Sequence, residues 1–276
     1  MNHVENKERK FIVKEIKFMD GESLEGKVAL VTGGGGGIGE AVCKKLASLG
    51  AFVYVNDVSK SGRKVAEEIN EQTKSKSAFF AQCDISNREA VEKMFKGIEK
   101  EHRGVDILIN NAAIYGPSCK FYEMRYEDFA KTIGVDLSGT VYCTLLTLSH
   151  MKKNKWGKII FTAAPMSSSR IPAPYLAGKA GFLGLTDYIA WKFKELGINT
   201  FSLALRHVDT HMIRRVMKSR GSSIEEGIKK MNEKSLTGRM ITPEEVAEIY
   251  AYFLLHAPGS LSGVTILADG GITYMR

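Results

Sequence analysis

The sequence predicts a doubly wound α/β fold: seven parallel strands with helices on both faces of the sheet. Two observations carry that expectation. From Lys27 onward, short apolar runs alternate with longer amphipathic stretches, and several of the short runs are apolar at nearly every position, as strands covered on both faces are. The strand candidates are Val28–Thr32, Phe52–Asn56, Ala78–Gln82, Asp106–Ile109, Lys158–Thr162, Asn199–Leu205 and Val264–Ala268. Between them lie helix candidates at Ile38–Leu49, Ser59–Gln72, Arg88–Glu101, Tyr126–Met151, Tyr175–Leu196 and Pro243–His256. The last has the clearest start: Thr242 as N-cap, Pro243 at the first helical position and Glu245 at the third. Thr210 to Gly238 breaks the alternation and reads as a helical insertion between the sixth and seventh strands. No repeat or interdomain linker appears, so residues 26–276 are expected to form one domain behind an arm of residues 1–25.

Composition narrows the class. The chain has 276 residues, 44% apolar and 25% charged, with only six prolines, which excludes disorder and low complexity. No apolar run approaches the roughly 18 residues of a membrane span. Cys43, Cys83, Cys119 and Cys143 are widely spaced, which argues against a disulfide framework or a zinc site and for reduced thiols in a cytoplasmic protein with no metal. The arm carries the apolar stretch Phe11 to Phe18, readable as a segment that packs on a neighbouring subunit or as a short leader. The net charge is +8, from 39 basic and 31 acidic residues. No basic stripe interleaved with aromatics accompanies it, so nucleic acid is a poor partner.

Thr32-Gly33-Gly34-Gly35-Gly36-Gly37-Ile38-Gly39 lies between the first strand and the first helix. Glycines let backbone approach a pyrophosphate, and a helix N-terminus offers N–H groups and a favourable dipole. Asp57 ends the second strand, where a carboxylate accepts from ribose hydroxyls and repels a 2′-phosphate. Gly36 and Val58 are not basic, and Lys60 and Arg63 lie further on, so NAD is expected over NADP. The alternative role for Asp57 is a cap on the following helix.

These motifs, with four more, make the sequence from Leu24 to the C-terminus resemble the short-chain dehydrogenase/reductase family. Thr32–Gly39 fits that family's T-G-x-x-x-G-x-G loop, with Gly33, Gly37, Ile38 and Gly39 as cofactor contacts. Cys83-Asp84-Ile85 fits the segment whose Asp84 meets the adenine end, and Asn110-Asn111-Ala112-Ala113 the N-N-A-G motif, with Asn111 and Ala112 at the cofactor. Tyr175 and Lys179 match Y-x-x-x-K, and Asp269-Gly270-Gly271 the C-terminal D-G-G. The resemblance implies a single Rossmann-type domain, a homodimer or homotetramer, and hydride transfer between a nicotinamide and an alcohol or carbonyl group of a small molecule. Tyr175 is then the acid/base. Lys179, one turn away, holds the nicotinamide ribose and stabilises the phenolate. Thr210 fits the threonine that contacts the carboxamide.

The departures from the pattern bear on the same pocket. Ala163 and Ala164 stand where serines are common; either the serine is absent, or Thr162 replaces it, or a hydroxyl among Ser167–Ser169 reaches in. Asp136 stands for the usual Asn and would favour the Lys179 cation while disfavouring a tyrosinate. Leu205-Arg206 stands for a Pro-Gly pair. The segment 206–239 corresponds to the family's substrate lid. Thr210–Arg239 has eight basic against three acidic residues, leaving +5 of the chain's +8, which suits solvated helix faces or an anionic substrate guided by Arg206, Arg214 or Arg215 near Ala164. Two other functions remain open: an NAD-binding sensor or scaffold with little turnover, and an enoyl-thioester reductase.

Overall fold

The computed structural model describes residues 23–166, 171–221 and 223–272. Seven strands, β1 (Val28–Thr32), β2 (Phe52–Asp57), β3 (Ala78–Gln82), β4 (Ile107–Asn110), β5 (Gly157–Ala163), β6 (Ile198–Leu205) and β7 (Thr265–Ala268), form one sheet in the order β3-β2-β1-β4-β5-β6-β7. Every neighbouring pair is parallel; Leu30 lies beside Tyr54 on one side and Leu108 on the other. The chain winds outward from β1 to β3, then crosses back to β4 and winds the other way. That reversal opens a crevice beyond the C-terminal ends of β1 and β4, where ligands of such sheets bind.

The core explains the continuous apolar runs. Consecutive strand residues point to opposite faces, and both faces are covered. Val31, Val53, Ile160 and Leu203 pack with α1 (Gly37–Ser48), α2 (Ser61–Thr73) and α9 (Pro243–Leu255). Leu30, Leu108, Ile159 and Phe161 pack with α3 (Arg88–His102), α5 (Thr140–Asn154) and α6 (Ala173–Phe193).

Two stretches differ from the sequence expectation. The helix expected over Tyr126–Met151 is divided into α4 (Tyr126–Ile133), a wider π-helical turn over Gly134–Gly139, and α5. Gly139 lets Ile85 approach this turn closely: a Cβ there would lie 2.7 Å from Ile85 O and Cγ1. The Thr140 hydroxyl donates to the Asp136 carbonyl at 3.0 Å. Such turns insert one residue into a helix and re-aim its side chains; here the turn carries Asp136, which is fully buried. The insertion after β6 contains two helices, α7 (His211–Ser219) and α8 (Ile224–Asn232). Its base is closed by a parallel bridge between Val208 and Ile241, with Asp209 N donating to Ile241 O (2.9 Å) and Ile241 N to His207 O (3.1 Å). Of the arm, the apolar stretch Phe11 to Phe18 lies outside the described residues. Leu24 is buried, and its N–H donates to Leu49 O at 2.7 Å.

Helix α9 packs against α1, which carries the glycine loop at its N-terminus. Its own start is a full capping box: Glu245 N donates to the Thr242 hydroxyl (3.2 Å) and Thr242 N to the Glu245 carboxylate (2.9 Å). Arg239 clamps that carboxylate with two bonds of 2.6 and 2.7 Å. Thr242→Ala is expected to cost about 1 kcal/mol of stability, read as a lower urea midpoint at an unchanged slope; an unchanged midpoint would contradict this role.

Candidate active site

The crevice at β1 and β4 is built by a cross-strand brace. Asn111 N and Ala112 N donate to the Thr32 hydroxyl at 2.9 and 3.1 Å. The Asn111 amide returns bonds to Thr32 O (3.0 Å) and Gly33 O (3.2 Å). Gly33 takes a left-handed φ of +65°, and a Cβ there would sit 2.9 Å from Ala112 Cα. Gly39 is as constrained, because a Cβ would collide with Gly33 O. At Gly36, by contrast, a Cβ would meet open space, so this part of the loop presents backbone to the crevice. Asp57 lies beneath the loop, its carboxylate accepting from Gly35 N (3.0 Å) and Ser59 N (2.8 Å). Thr210 caps α7 and approaches the loop from the lid; a Cβ on Gly37 would lie 3.2 Å from Thr210 Cγ2. Asp84 is exposed beyond β3 and accepts from Ser86 N and Oγ at 2.9 and 2.7 Å. The glycines, Ile38, Asn111, Ala112 and Thr210 are thus gathered around one crevice. Its open backbone and the α1 N-terminus suit a pyrophosphate, and the Asp57 carboxylate suits a ribose diol.

Tyr175 and Lys179 lie one turn apart on α6, with Lys179 Nζ 5.4 Å from the centre of the Tyr175 ring. Lys179 is buried, and its amine donates to Thr162 O at the end of β5 (2.8 Å) and lies over the Phe182 ring at 4.8 Å. Asp136 faces it from the π turn. One carboxylate oxygen accepts from Ile114 N at 2.8 Å; the other, Oδ2, is buried with no hydrogen-bond partner among the described residues. Burial pushes the Asp136 carboxyl up to about 6 against the opposing pull of Lys179 and the Ile114 N–H. Burial also lowers the Lys179 amine to about 8, although Asp136 favours its cation. Tyr175 departs from expectation: burial, then Asp136, then Tyr115, hold its phenol above the ordinary range rather than below it.

The residues expected on the substrate side fall in different places. The Thr162 side chain is on the opposite face of β5 from Lys179, its hydroxyl 2.6 Å from the Tyr250 hydroxyl of α9 and 3.4 Å from Asn111 Oδ1. It is the Thr162 carbonyl, not the hydroxyl, that reaches the lysine. Ala164 is buried just past β5 and brings no hydroxyl, and Ser167–Ser169 lie outside the described residues. Arg214 is held by both oxygens of Asp209 at 2.8 Å each, so it fastens the start of α7 instead of projecting toward a substrate. Arg215 is exposed. Arg206 is half-buried beside β7, its N–H bonded to Ala268 O at 3.4 Å. The next residue, His207, adopts a left-handed φ of +54°, and burial, with Arg206 and Lys234 near it, lowers its ring to about 4.

Two residues at the site were not singled out by the sequence. The Tyr115 ring lies 5.2 Å from that of Tyr175, and Arg220, at the end of α7, donates from Nη2 to the Tyr115 hydroxyl at 2.9 Å. Their separation of 105 positions leaves no local pattern to read.

Comparison with known proteins agrees with this architecture. A family model described as short chain dehydrogenase matches residues 27–221, more than half of the chain. A short chain dehydrogenase/reductase of Aspergillus oryzae is 32% identical over 260 residues, covering 92% of this chain and 97% of that protein. A 3-oxoacyl-[acyl-carrier-protein] reductase of Aquifex aeolicus is 31% identical, covering 90% and 98%. Levodione reductase has the same Rossmann-type fold, with a TM-score of 0.87 at 23% identity, covering 91% of this chain and 99% of its own.

The buried carboxyl has a consequence for stability. Asp136 binds its proton more tightly folded than unfolded, so its contribution is present below pH 4 and is lost as pH rises through about 6. Asp136→Asn is expected to remove that decline, read as urea-unfolding stability between pH 4 and 7; a variant with the parent's slope would contradict it.

Proposed function

This chain belongs to the short-chain dehydrogenase/reductase family of oxidoreductases, and we propose that within it the protein is an NAD(H)-dependent enzyme acting on the alcohol or carbonyl group of a small or medium-sized molecule. The observation that carries the proposal is the Tyr175–Lys179 pair on α6, joined through Thr162 O to the end of β5, beside the glycine crevice. The backbone of Gly33 to Gly39 holds the pyrophosphate, with Asp57 on the ribose, Asp84 toward the adenine, and Asn111, Ala112 and Thr210 along the crevice. When bound, the nicotinamide supplies or accepts the hydride.

The chain's own residues do the rest. Tyr175 Oη gives its proton to the substrate oxygen in reduction and takes it in oxidation. Its phenol is protonated at neutral pH, so it is set as a donor. Lys179 stabilises the phenolate that reduction leaves and holds the ribose. Asp136 acts on Lys179 through its charge, which favours the amine's cation. The segment 206–239 covers the substrate as a lid on the domain of residues 26–276. Exposed Leu145 on α5 and Tyr188 and Trp191 on α6 support a homodimer or homotetramer through these helices. Reduced thiols support a cytoplasmic setting; no helix among the described residues is long and apolar enough to cross a membrane.

A second reading has one observation in its favour. Among the described residues, Ala164 offers no hydroxyl and that of Thr162 is engaged by Tyr250, so neither supplies the donor that usually orients the reacting oxygen, whose loss costs on the order of 100-fold in rate. A protein that binds NAD with little turnover, as a sensor or scaffold, would tolerate this.

In a screen of alcohols and ketones followed by NADH absorbance, Tyr175→Phe is expected to lower kcat by about 100-fold or more while NADH affinity stays within about threefold. NADH is expected to support turnover better than NADPH because of Asp57. Tight NADH binding by the parent without turnover of any compound would favour the second reading.

A further inference from the structure

We propose that Arg220 binds the carboxylate of the substrate, so that the enzyme acts on oxo-acids or hydroxy-acids; this deepens the reading above and rests on it. A cavity of about 660 Å³ opens beside the start of α6, lined by Lys120, Met124, Ile171, Pro172, Ala173 and Arg220 among others. Its volume is in the range of sites for small organic ligands. The cavity reaches the first turn of α6 at Ala173, the helix that carries Tyr175.

Tyr115 links Arg220, on the wall of this cavity, to Tyr175. Its ring is tilted against that of Tyr175, with centroids 5.2 Å apart, and its hydroxyl accepts the 2.9 Å bond from Arg220. The guanidinium centre lies 5.9 Å from the Tyr115 ring centre. A single aromatic side chain therefore fixes the distance between an arginine and the tyrosine that handles the reacting oxygen. Met124, Ile171 and Pro172 provide apolar wall for the carbon chain of a ligand that spans them.

Two lid arginines are held by carboxylates, and two exposed cations of α7 lie off the cavity. Arg214 is clamped by Asp209 and Arg239 by Glu245, while Arg215 and Lys218 are exposed on α7 and do not line the cavity. Arg220 is the lid residue that does. The fork of a guanidinium matches a planar carboxylate. Lys120 adds a second positive charge on the same wall, 3.8 Å from Glu123, which also lines the cavity. That carboxylate opposes a doubly charged phosphate more than a singly charged carboxylate, which favours the carboxylate as the anion.

The test uses the full chain and a series of oxo-carboxylates of increasing length, each with its primary amide and its phosphonate. Two quantities are read: the ratio of kcat/KM for carboxylate over amide with NADH, and binding of the carboxylate by calorimetry. The parent is expected to prefer the carboxylate by about tenfold to a hundredfold, the range of a charge-assisted hydrogen bond. Arg220→Gln should bring the ratio close to one and weaken carboxylate binding by a similar factor. Lys218→Gln removes a charge from the same helix and should leave the ratio as in the parent. Tyr115→Phe keeps the ring and loses the tether, so it should lower the ratio by less than Arg220→Gln does. A parent ratio of about one, an unchanged ratio in Arg220→Gln, a collapse in Arg215→Gln instead, or a preference for the phosphonate would overturn the proposal. If no carbonyl is reduced but calorimetry still shows carboxylate binding that Arg220→Gln abolishes, the anion site stands and the redox reading fails.

Discussion

The join between β1 and β4 is the constraint on which the site depends. The Thr32 hydroxyl donates to Ile109 O at 3.3 Å while receiving the N–H groups of Asn111 and Ala112, and the Asn111 amide ties the first carbonyls of the glycine loop. These bonds fix where the loop leaves the sheet at the point where strand order reverses. Every later feature is placed from that origin. β5 pairs with β4, so the Thr162 carbonyl is carried to one side of the crevice. Lys179 reaches that carbonyl, and Tyr175 follows from the helix that holds the lysine.

The electrostatics of the pocket are a contest between burial and pairing. A buried amine and a buried carboxyl each resist charge, and each favours the charged form of the other. Burial wins for both: Asp136 is raised and Lys179 lowered. The orphaned Oδ2 of Asp136 shows why the carboxyl remains costly, since only one of its oxygens has a donor. Tyr175 follows the same rule: burial first, then Asp136 and Tyr115, hold its phenol protonated beside an amine lowered to about 8.

Much of this was legible in the sequence, and the exceptions have physical causes. β1 and β3 occupy the expected residues, and the Thr242 capping box forms as its local spacing implies. The glycine loop was readable because its conformation is set by residues adjacent in the chain. The π turn was not: the apolar period runs on through it, and its packing partner at Gly139, Ile85, comes from a distant segment. The direction of Thr162 was hidden by the double covering of the sheet: with Phe161 and Ile160 both fully buried, alternation does not mark which face a strand residue takes. The sequence set Lys179, which favours a Tyr175 phenolate, against Asp136, which disfavours it, but did not reveal how deeply the phenol is buried. Burial and the charges of Asp136 and Tyr115, brought in by other elements, raise it. The pairing of Arg214 with Asp209 spans only five residues, yet no pattern marks it, while the Arg220–Tyr115 contact required the tertiary structure.

Redox chemistry at Tyr175 beside the crevice is the proposal on which the site's other roles depend. The most direct measurement incubates the protein with NADH deuterated at the transferring position and a panel of ketones, and reads the alcohol products by mass spectrometry. The expected product is an alcohol carrying one deuterium, formed in step with NADH consumption. Saturating NADH binding with no deuterium in any product would contradict that proposal.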